Sequence, residues 1–442
     1  MNSLLKVGYG KADITPQGSV PLDGYGNAAN RFSQEQRDKL YATCIAFTDP
    51  DGNTALLFTV DCLQTYDQFA GPVRKQLSEE FGIPYENINI AGTHSHSAPA
   101  MLHECPEIQE YIRLYQEGLL EAGRKAMEDR TPAVTYVGAT QTERMNFNRH
   151  NKMADGTFAG DNFGRWGSGF VRHASNNDPW VQVIRFARIG AKDVVLINFQ
   201  AHPCITGGIA RYVCSADMVG EVRKYVEVQT GAKVAYFQGA AGNHNWRSHE
   251  PSEPRTQEIM AYSKLLGDYV LKALQRTQQV PGTAVKAVRR DLDVELDHSD
   301  DHLVETVMPI WNEWQKNFDR DASNKQARAL GLNSIYSIWY LLDRAKLPQR
   351  EIVPLYALQV GGLGFACAPY EMFGASGTHI KEQAPFPLTF IVTHCNDAKG
   401  YLATEFAFTH GCYEVDGRRY PKGTAEKFAQ NFLEMLWELK EK

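Results

Sequence analysis

The eight cysteines include no C-x-x-C pair, and the chain has no uninterrupted apolar run of about 18 residues, no block of five or more like charges and no low-complexity linker. Each absence removes a class of protein. Without paired cysteine spacing, a zinc ribbon or a thioredoxin-like redox motif is unsupported. Cys44, Cys62, Cys105, Cys204, Cys214, Cys367, Cys395 and Cys412 then read as reduced thiols, mostly buried in strands. Without a long apolar run there is no candidate membrane-spanning helix. The first apolar stretch is too short for the core of a signal peptide and meets Lys6 and Gly8 at once. The expected compartment is therefore the cytoplasm. Positive charge is not in excess: 46 Lys and Arg stand against 52 Asp and Glu, a formal net charge of −6. Neither nucleic acid nor an anionic membrane is an expected partner, which leaves a small-molecule substrate. No G-x-S-x-G elbow occurs, so a serine hydrolase lacks its usual signature. Cys204, two residues from His202, is the one suggestive thiol for a cysteine nucleophile.

What is present alternates between strand-like and helix-like patterns, with no visible repeat of sequence. This predicts an α/β fold: a mixed β-sheet core flanked by helices, formed as a single domain over residues 1–442. Residues 41–62 read as a hairpin around Asp49-Pro50-Asp51-Gly52, and residues 180–199 as a second hairpin around Gly190. Helices are expected over 66–81, 106–128, 218–229, 255–276 and 424–441, and strands over 87–93, 133–139, 233–237, 353–368 and 386–395. Residues 145–178, dense in Gly, Asn and aromatics, read as one long irregular loop, functional or mobile. A helical insertion near 298–347 carries Trp311, Trp314, Trp339 and Tyr340 and could cap a site.

Two histidine sites follow strand-like runs. His94 and His96 stand in Gly92-Thr93-His94-Ser95-His96-Ser97, at the carboxyl end of the 87–93 strand, and an i, i+2 pair on a strand shares one face. His202 ends the apolar run Asn198-Phe199-Gln200-Ala201 and precedes Pro203. Polar loop histidines and a satisfied structural histidine are the ordinary readings. Two such sites at strand ends, where α/β proteins bind ligands, favour a zinc site. Ala98 at the Asp position excludes the H-x-H-x-D-H pattern of metallo-β-lactamases, and the hairpin and helix before His94 weaken a barrel amidohydrolase.

Further motifs then fall into one order. They are Gly8-Tyr9-Gly10-Lys11-Ala12-Asp13-Ile14-Thr15, Gly24-Tyr25, the His94 motif, Asn148-Arg149, Ala201-His202-Pro203, Ser215-Ala216-Asp217, Gln238-Gly239-Ala240-Ala241-Gly242-Asn243, Pro369-Tyr370-Glu371 and Gly400-Tyr401-Leu402-Ala403-Thr404. In this order the chain resembles the catalytic domain of the neutral/alkaline ceramidase family, as a divergent, bacterial-type member. The resemblance implies a zinc-dependent amidohydrolase with His94, His202, Glu371 and Tyr401 as metal ligands, His96 at the reaction centre, and Arg149 and Tyr413 lining the pocket. A phenolate from Tyr401 would require the metal to lower its pKa. Other roles remain open at this point: Glu371 as a helix cap, Tyr401 as a packed aromatic, Arg149 as a solvated charge, and Asp217 as a cap or as the orienter of an imidazole.

Departures from the family pattern shape the expected function. Gly239 and Ala240 replace a Ser-Asn pair, Asn243 replaces an Asp, and no C-terminal immunoglobulin-like domain is expected. The expectation is hydrolysis of an amide or ester/lactone bond by metal-activated water, on a small polar substrate rather than ceramide. The alternatives are a ceramidase proper and a non-catalytic binding protein, with aromatics near 164–180 and 311–340 as its platform.

Overall fold

A computed structural model of the chain describes residues 4–25, 28–160, 169–248 and 258–441. Residues 161–168 of the expected long loop, with Trp166, and the start of the expected 255–276 helix lie outside the described residues.

The predicted α/β architecture is present, as four layers. The large sheet runs in the order Lys233–Gln238, Val194–Phe199, Trp180–Arg188, Thr131–Gln141, Lys6–Asp13, Tyr41–Thr48, Thr54–Val60 and Ile88–Gly92, with Gln278–Gln279 added beside Thr131–Gln141. A second sheet runs Val285–Glu295, Arg350–Val360, Leu363–Cys367 and Leu388–Val392. Val7, Ile45, Phe47, Phe186 and Phe237 of the large sheet bury themselves against Tyr356, Phe365 and Phe390 of the second. The outer faces are covered by helices. Pro106–Glu128 packs against Leu56 and Phe58, Asp217–Thr230 and Ile259–Leu274 against Ile197 and Tyr236, and Thr424–Glu441 against Leu355 and Ile391. Strands buried on both faces read as continuous apolar runs, and Thr54–Val60 and Val194–Phe199 do so.

One arrangement occurs three times: an antiparallel hairpin, a helix, then a strand that returns parallel to the second hairpin strand. It appears as Tyr41–Thr48, Thr54–Val60, Asp67–Phe81 and Ile88–Gly92. It recurs as Trp180–Arg188, Val194–Phe199, Asp217–Thr230 and Lys233–Gln238. The third is Arg350–Val360, Leu363–Cys367, Gly374–Gln383 and Leu388–Val392. No sequence repeat announces it, because each copy is built from different apolar residues. The carboxyl ends of the three units meet. Gly92 N donates to His394 O at 3.0 Å, and Asn198 Nδ2 donates to both Phe237 O and Ile391 O at 2.9 Å.

Two expectations need correction. The 353–368 run is a hairpin, not one strand, because Gly361 at φ +58 turns the chain. Part of the irregular 145–178 stretch forms a small sheet of His150–Met153, Phe158–Gly160 and Phe170–His173. The opening motif is itself a strand, Lys6–Asp13, in which a Cβ on Gly10 would stand 1.9 Å from Ala122 O, so only glycine lets the helix lie this close. The 298–347 segment is helical as expected, through Val304–Asn317, Arg320–Ala329 and Ile335–Arg344. No helix among the described residues is long and apolar enough to cross a membrane.

Candidate metal centre

The Ile88–Gly92 strand ends before the first histidine, so His94 and His96 do not share a strand face as expected. His94 sits in a left-handed turn at φ +67. The turn still brings the rings together edge to face, with centroids 4.8 Å apart and the two Nε2 atoms 3.3 Å apart. Gly24, at φ +102, lies against His96, where a Cβ would come within 2.7 Å of its backbone and ring. This is why Gly24-Tyr25 belongs to the site: Tyr25 packs edge-on against His96 at 5.5 Å.

His202 arrives from the second unit and Glu371 from the third. Ligand atoms of His94, His96 and His202 all lie within 4.8 Å of one another. Glu371 Oε2 is 3.5 Å from His94 Nε2 and 3.3 Å from His202 Nε2. Backbone carbonyls set both tautomers: His94 Nδ1 donates to Leu63 O at 2.9 Å, and His202 Nδ1 to His244 O at 3.0 Å. Both Nε2 atoms therefore lie close to Glu371 Oε2, which is buried and has no hydrogen-bond partner, and His202 Nε2 also accepts from Arg149 Nη1 at 3.2 Å. Lone pairs gathered around an unpartnered carboxylate oxygen are the donor set of a divalent cation, with each imidazole oriented through its other nitrogen. The residues present fit zinc.

Tyr401 lies beside Glu371, paired with it in a short parallel bridge of two residues each. Its hydroxyl accepts a hydrogen bond from Arg149 Nη2 at 3.1 Å. Arg149 is not a solvated loop charge. It is 2% exposed, ion-paired through Nε with Glu414 Oε1 at 2.5 Å, and its Nη1 lies 3.2 Å from His202 Nε2. Tyr413 stands at the rim, its hydroxyl 3.2 Å from that of Tyr340. Tyr340 belongs to the Ile335–Arg344 helix, and its ring is 6.4 Å from that of Tyr401, so the helical insertion does reach the site.

The electrostatics follow from burial and from these contacts. Burial, then His94 and His202, push His96 well below the usual imidazole range, so its ring is neutral at pH 7. Burial and Arg149 lower His202 to about 4. Burial alone would raise Glu371, but His94 and His202 override it and hold the carboxylate well below its ordinary range. Burial and Glu371 lift Tyr401 well above 10, so without a cation its phenol keeps the proton. Burial would also lower Arg149, but Glu414, Tyr401 and Glu371 keep the guanidinium charged.

Several alternatives resolve. Asp217 takes the backbone N–H groups of Ile205, Thr206 and Met218, so it caps helices; backbone carbonyls, not Asp217, orient the imidazoles. Burial lifts the Cys204 thiol to about 12, which leaves it protonated and removes the cysteine-nucleophile reading. At Gly239 a Cβ would meet Gln200 Oε1 at 2.8 Å, so the space of the family's serine is filled by Gln200. Asn243 is structural: its Oδ1 accepts from Gly374 N and its carbonyl from Arg149 N, both at 2.9 Å.

Sequence reasoning missed three neighbours. His394 stacks on His94 with centroids 3.9 Å apart at 12°. Glu414 holds Arg149, and His150 donates to Glu414. The one available signal for His394 was its place just beyond an apolar strand, which it shares with His94 and His202.

Comparison with known proteins places this geometry. A family model described as neutral/alkaline non-lysosomal ceramidase, N-terminal, matches residues 5–239, more than half of the chain. The neutral ceramidase of Drosophila pseudoobscura pseudoobscura is 25% identical over 155 residues, 33% of this chain and 22% of that protein. Neutral ceramidase A of Dictyostelium discoideum is 24% identical over 234 residues, 50% of this chain and 31% of that protein. The matched region thus spans less than a third of either relative. The crystal structure of neutral ceramidase from Pseudomonas aeruginosa superposes with a TM-score of 0.74 at 17% identity, covering 99% of this chain and 75% of that one. A structure of ceramidase complexed with C2 gives a TM-score of 0.75 at 16% identity, with the same coverage. At such identities the structural likeness speaks for the fold alone; the family match includes His94, His96, Arg149 and His202 and ends before Glu371 and Tyr401, and on it the chain belongs to the neutral/alkaline non-lysosomal ceramidase family.

Proposed function

We propose that this chain is a zinc-dependent hydrolase that cleaves an amide or ester/lactone bond in a small polar substrate. Its metal ligands are His94, His202, Glu371 and Tyr401. The reading rests on one observation: two carbonyl-oriented imidazoles bring their Nε2 atoms within 3.5 Å of a buried carboxylate oxygen that has no hydrogen-bond partner. Zinc bound there supplies Lewis acidity toward the scissile carbonyl and toward a water molecule. His96, neutral at pH 7 and half-buried beside the other two rings, is the group that takes and returns a proton. Arg149, kept charged by Glu414, and the Tyr413 hydroxyl supply hydrogen bonds to negative charge that develops on the substrate. Arg149 and the hydroxyls of Tyr340 and Tyr413 support a polar substrate. The relatives, both neutral ceramidases, favour a second reading, hydrolysis of ceramide itself.

The test joins elemental analysis to a hydrolysis panel. The purified chain should hold zinc and lose turnover on chelation, and His94→Ala should remove both metal and activity. Full activity in metal-free His94→Ala protein would reject the mechanism. Short N-acyl amides, esters and lactones should be turned over faster than ceramide, and the reverse order would replace the small-substrate reading with the ceramidase one.

A further inference from the structure

Behind Arg149 a second group of metal-binding side chains converges. The ligand atoms of His150, His410 and Cys412 all lie within 4.8 Å of one another. We propose that these three residues form a second cation site, separate from the His94 centre, that takes a zinc-class ion through two imidazoles and a thiolate.

Three further observations carry this. First, the hydrogen bond of His150 to Glu414 fixes its tautomer. Its Nε2 donates to Glu414 Oε2 at 2.6 Å, which leaves Nδ1 with a free lone pair in the neutral ring. A carboxylate behind an imidazole in this way is the usual support of a metal-bound histidine. Second, both ring nitrogens of His410 are buried without a hydrogen-bond partner, although a neutral imidazole needs one donor and one acceptor. The ring is held in place by Phe158, stacked at 4.4 Å, and stands edge-on to His150 at 5.5 Å. Third, there is a way in. A cavity of about 320 Å³ is lined by His150, His410, Phe373, Phe406, Ser376 and Glu426.

The dimensions fit with a small adjustment. Tetrahedral zinc, with bonds of about 2.0 Å to nitrogen and about 2.3 Å to sulfur, holds its ligands roughly 3.3–3.7 Å apart. Closure from the observed spread takes side-chain shifts of about 1 Å. His410 and Cys412 flank Gly411 on one turn, and His150 comes from a strand, so the set joins two distant segments. Two nitrogens and one sulfur suit zinc better than magnesium or calcium, which prefer oxygen. Burial and Glu414 hold the Cys412 thiol well above its ordinary range in the metal-free chain, so its proton leaves to solvent only as the Sγ–metal bond forms. Glu414 is common to both centres, since it holds His150 through Oε2 and Arg149 through Oε1.

Cobalt distinguishes the sites, because the His94 centre contains no sulfur. Metal-free full-length protein should be titrated with cobalt(II) and followed in the near ultraviolet. A sulfur-to-cobalt charge-transfer band should appear in the wild-type chain, and excess zinc should bleach it. Cys412→Ser and His410→Asn should each lose the band. His94→Ala, which empties the other centre, should keep it, so the outcome is independent of the hydrolase reading. No band in wild-type protein at saturating cobalt overturns the proposal, as does a band that survives Cys412→Ser.

Discussion

His96 is half-buried and its Nδ1 has no partner, whereas His94 and His202 are 2% and 1% exposed with their Nδ1 atoms tied to carbonyls. On the proposed reading the two fixed rings hold the cation, and the third, which is neutral at pH 7, handles the proton. His96→Ala should therefore lower turnover about 10²–10⁴-fold while metal content stays at the wild-type level. Elemental analysis beside kinetics checks this, and loss of the metal with the ring would make His96 a ligand instead. His94 and His202 could be named from the sequence because each closes an apolar run. His394 carries the same signal, just beyond the Leu388–Val392 strand, but Glu414 and His150 carry none, because nothing local marks a residue whose importance lies in a partner hundreds of positions away.

At the scale of elements, the end of a hairpin in one unit can be tied to a helix of another. In the first unit the anchor is Asp61, which directly follows the Thr54–Val60 strand. Its two oxygens accept from Arg223 Nη1 at 2.9 Å and Nη2 at 2.6 Å, and Arg223 lies on the Asp217–Thr230 helix of the second unit. Asp61 is fully buried and Arg223 nearly so. Removal of one partner leaves the other charge uncompensated, so Asp61→Ala should cost about 3–5 kcal/mol in urea unfolding. Replacing both with apolar residues of similar volume should cost much less. Equal losses in the single and double variants would show that the pair contributes only packing. Neither residue stands in a recognisable motif with the other. The pairing exists because two copies of the same unit lie side by side.

For the molecule as a whole, stability should carry a pH signature from Asp38, which binds Ser215 and Ala216 across the chain at 2.6 Å each. Burial pushes its carboxyl up from 3.8 to about 6, against the lowering effect of those hydrogen bonds. Between these values the folded chain holds a proton that the unfolded chain has lost. That contribution is complete below pH 4 and is lost as pH rises through about 6. Asp38→Asn should flatten this part of the curve while its side-chain oxygen still accepts from Ser215. Unfolding free energies that change identically with pH in the two proteins, over the same interval, would sink the assignment.

Local pattern was enough to determine most of the elements. The 41–62 and 180–199 hairpins, the Pro106–Glu128 helix and the helical segment near 298–347 stand where turn residues and apolar spacing put them. These features depend on interactions within a few residues, so they are written in consecutive letters. The ordered motifs likewise carried the family resemblance. Only the tertiary structure decided that the hairpin–helix–strand unit occurs three times and that the ends of its copies meet. It alone put Glu371 Oε2 between His94 and His202, moved His94 out of its strand, and gathered His150, His410 and Cys412. Convergence of this kind is set by how layers pack over long separations, and side chains brought together only by packing leave no periodicity in the sequence.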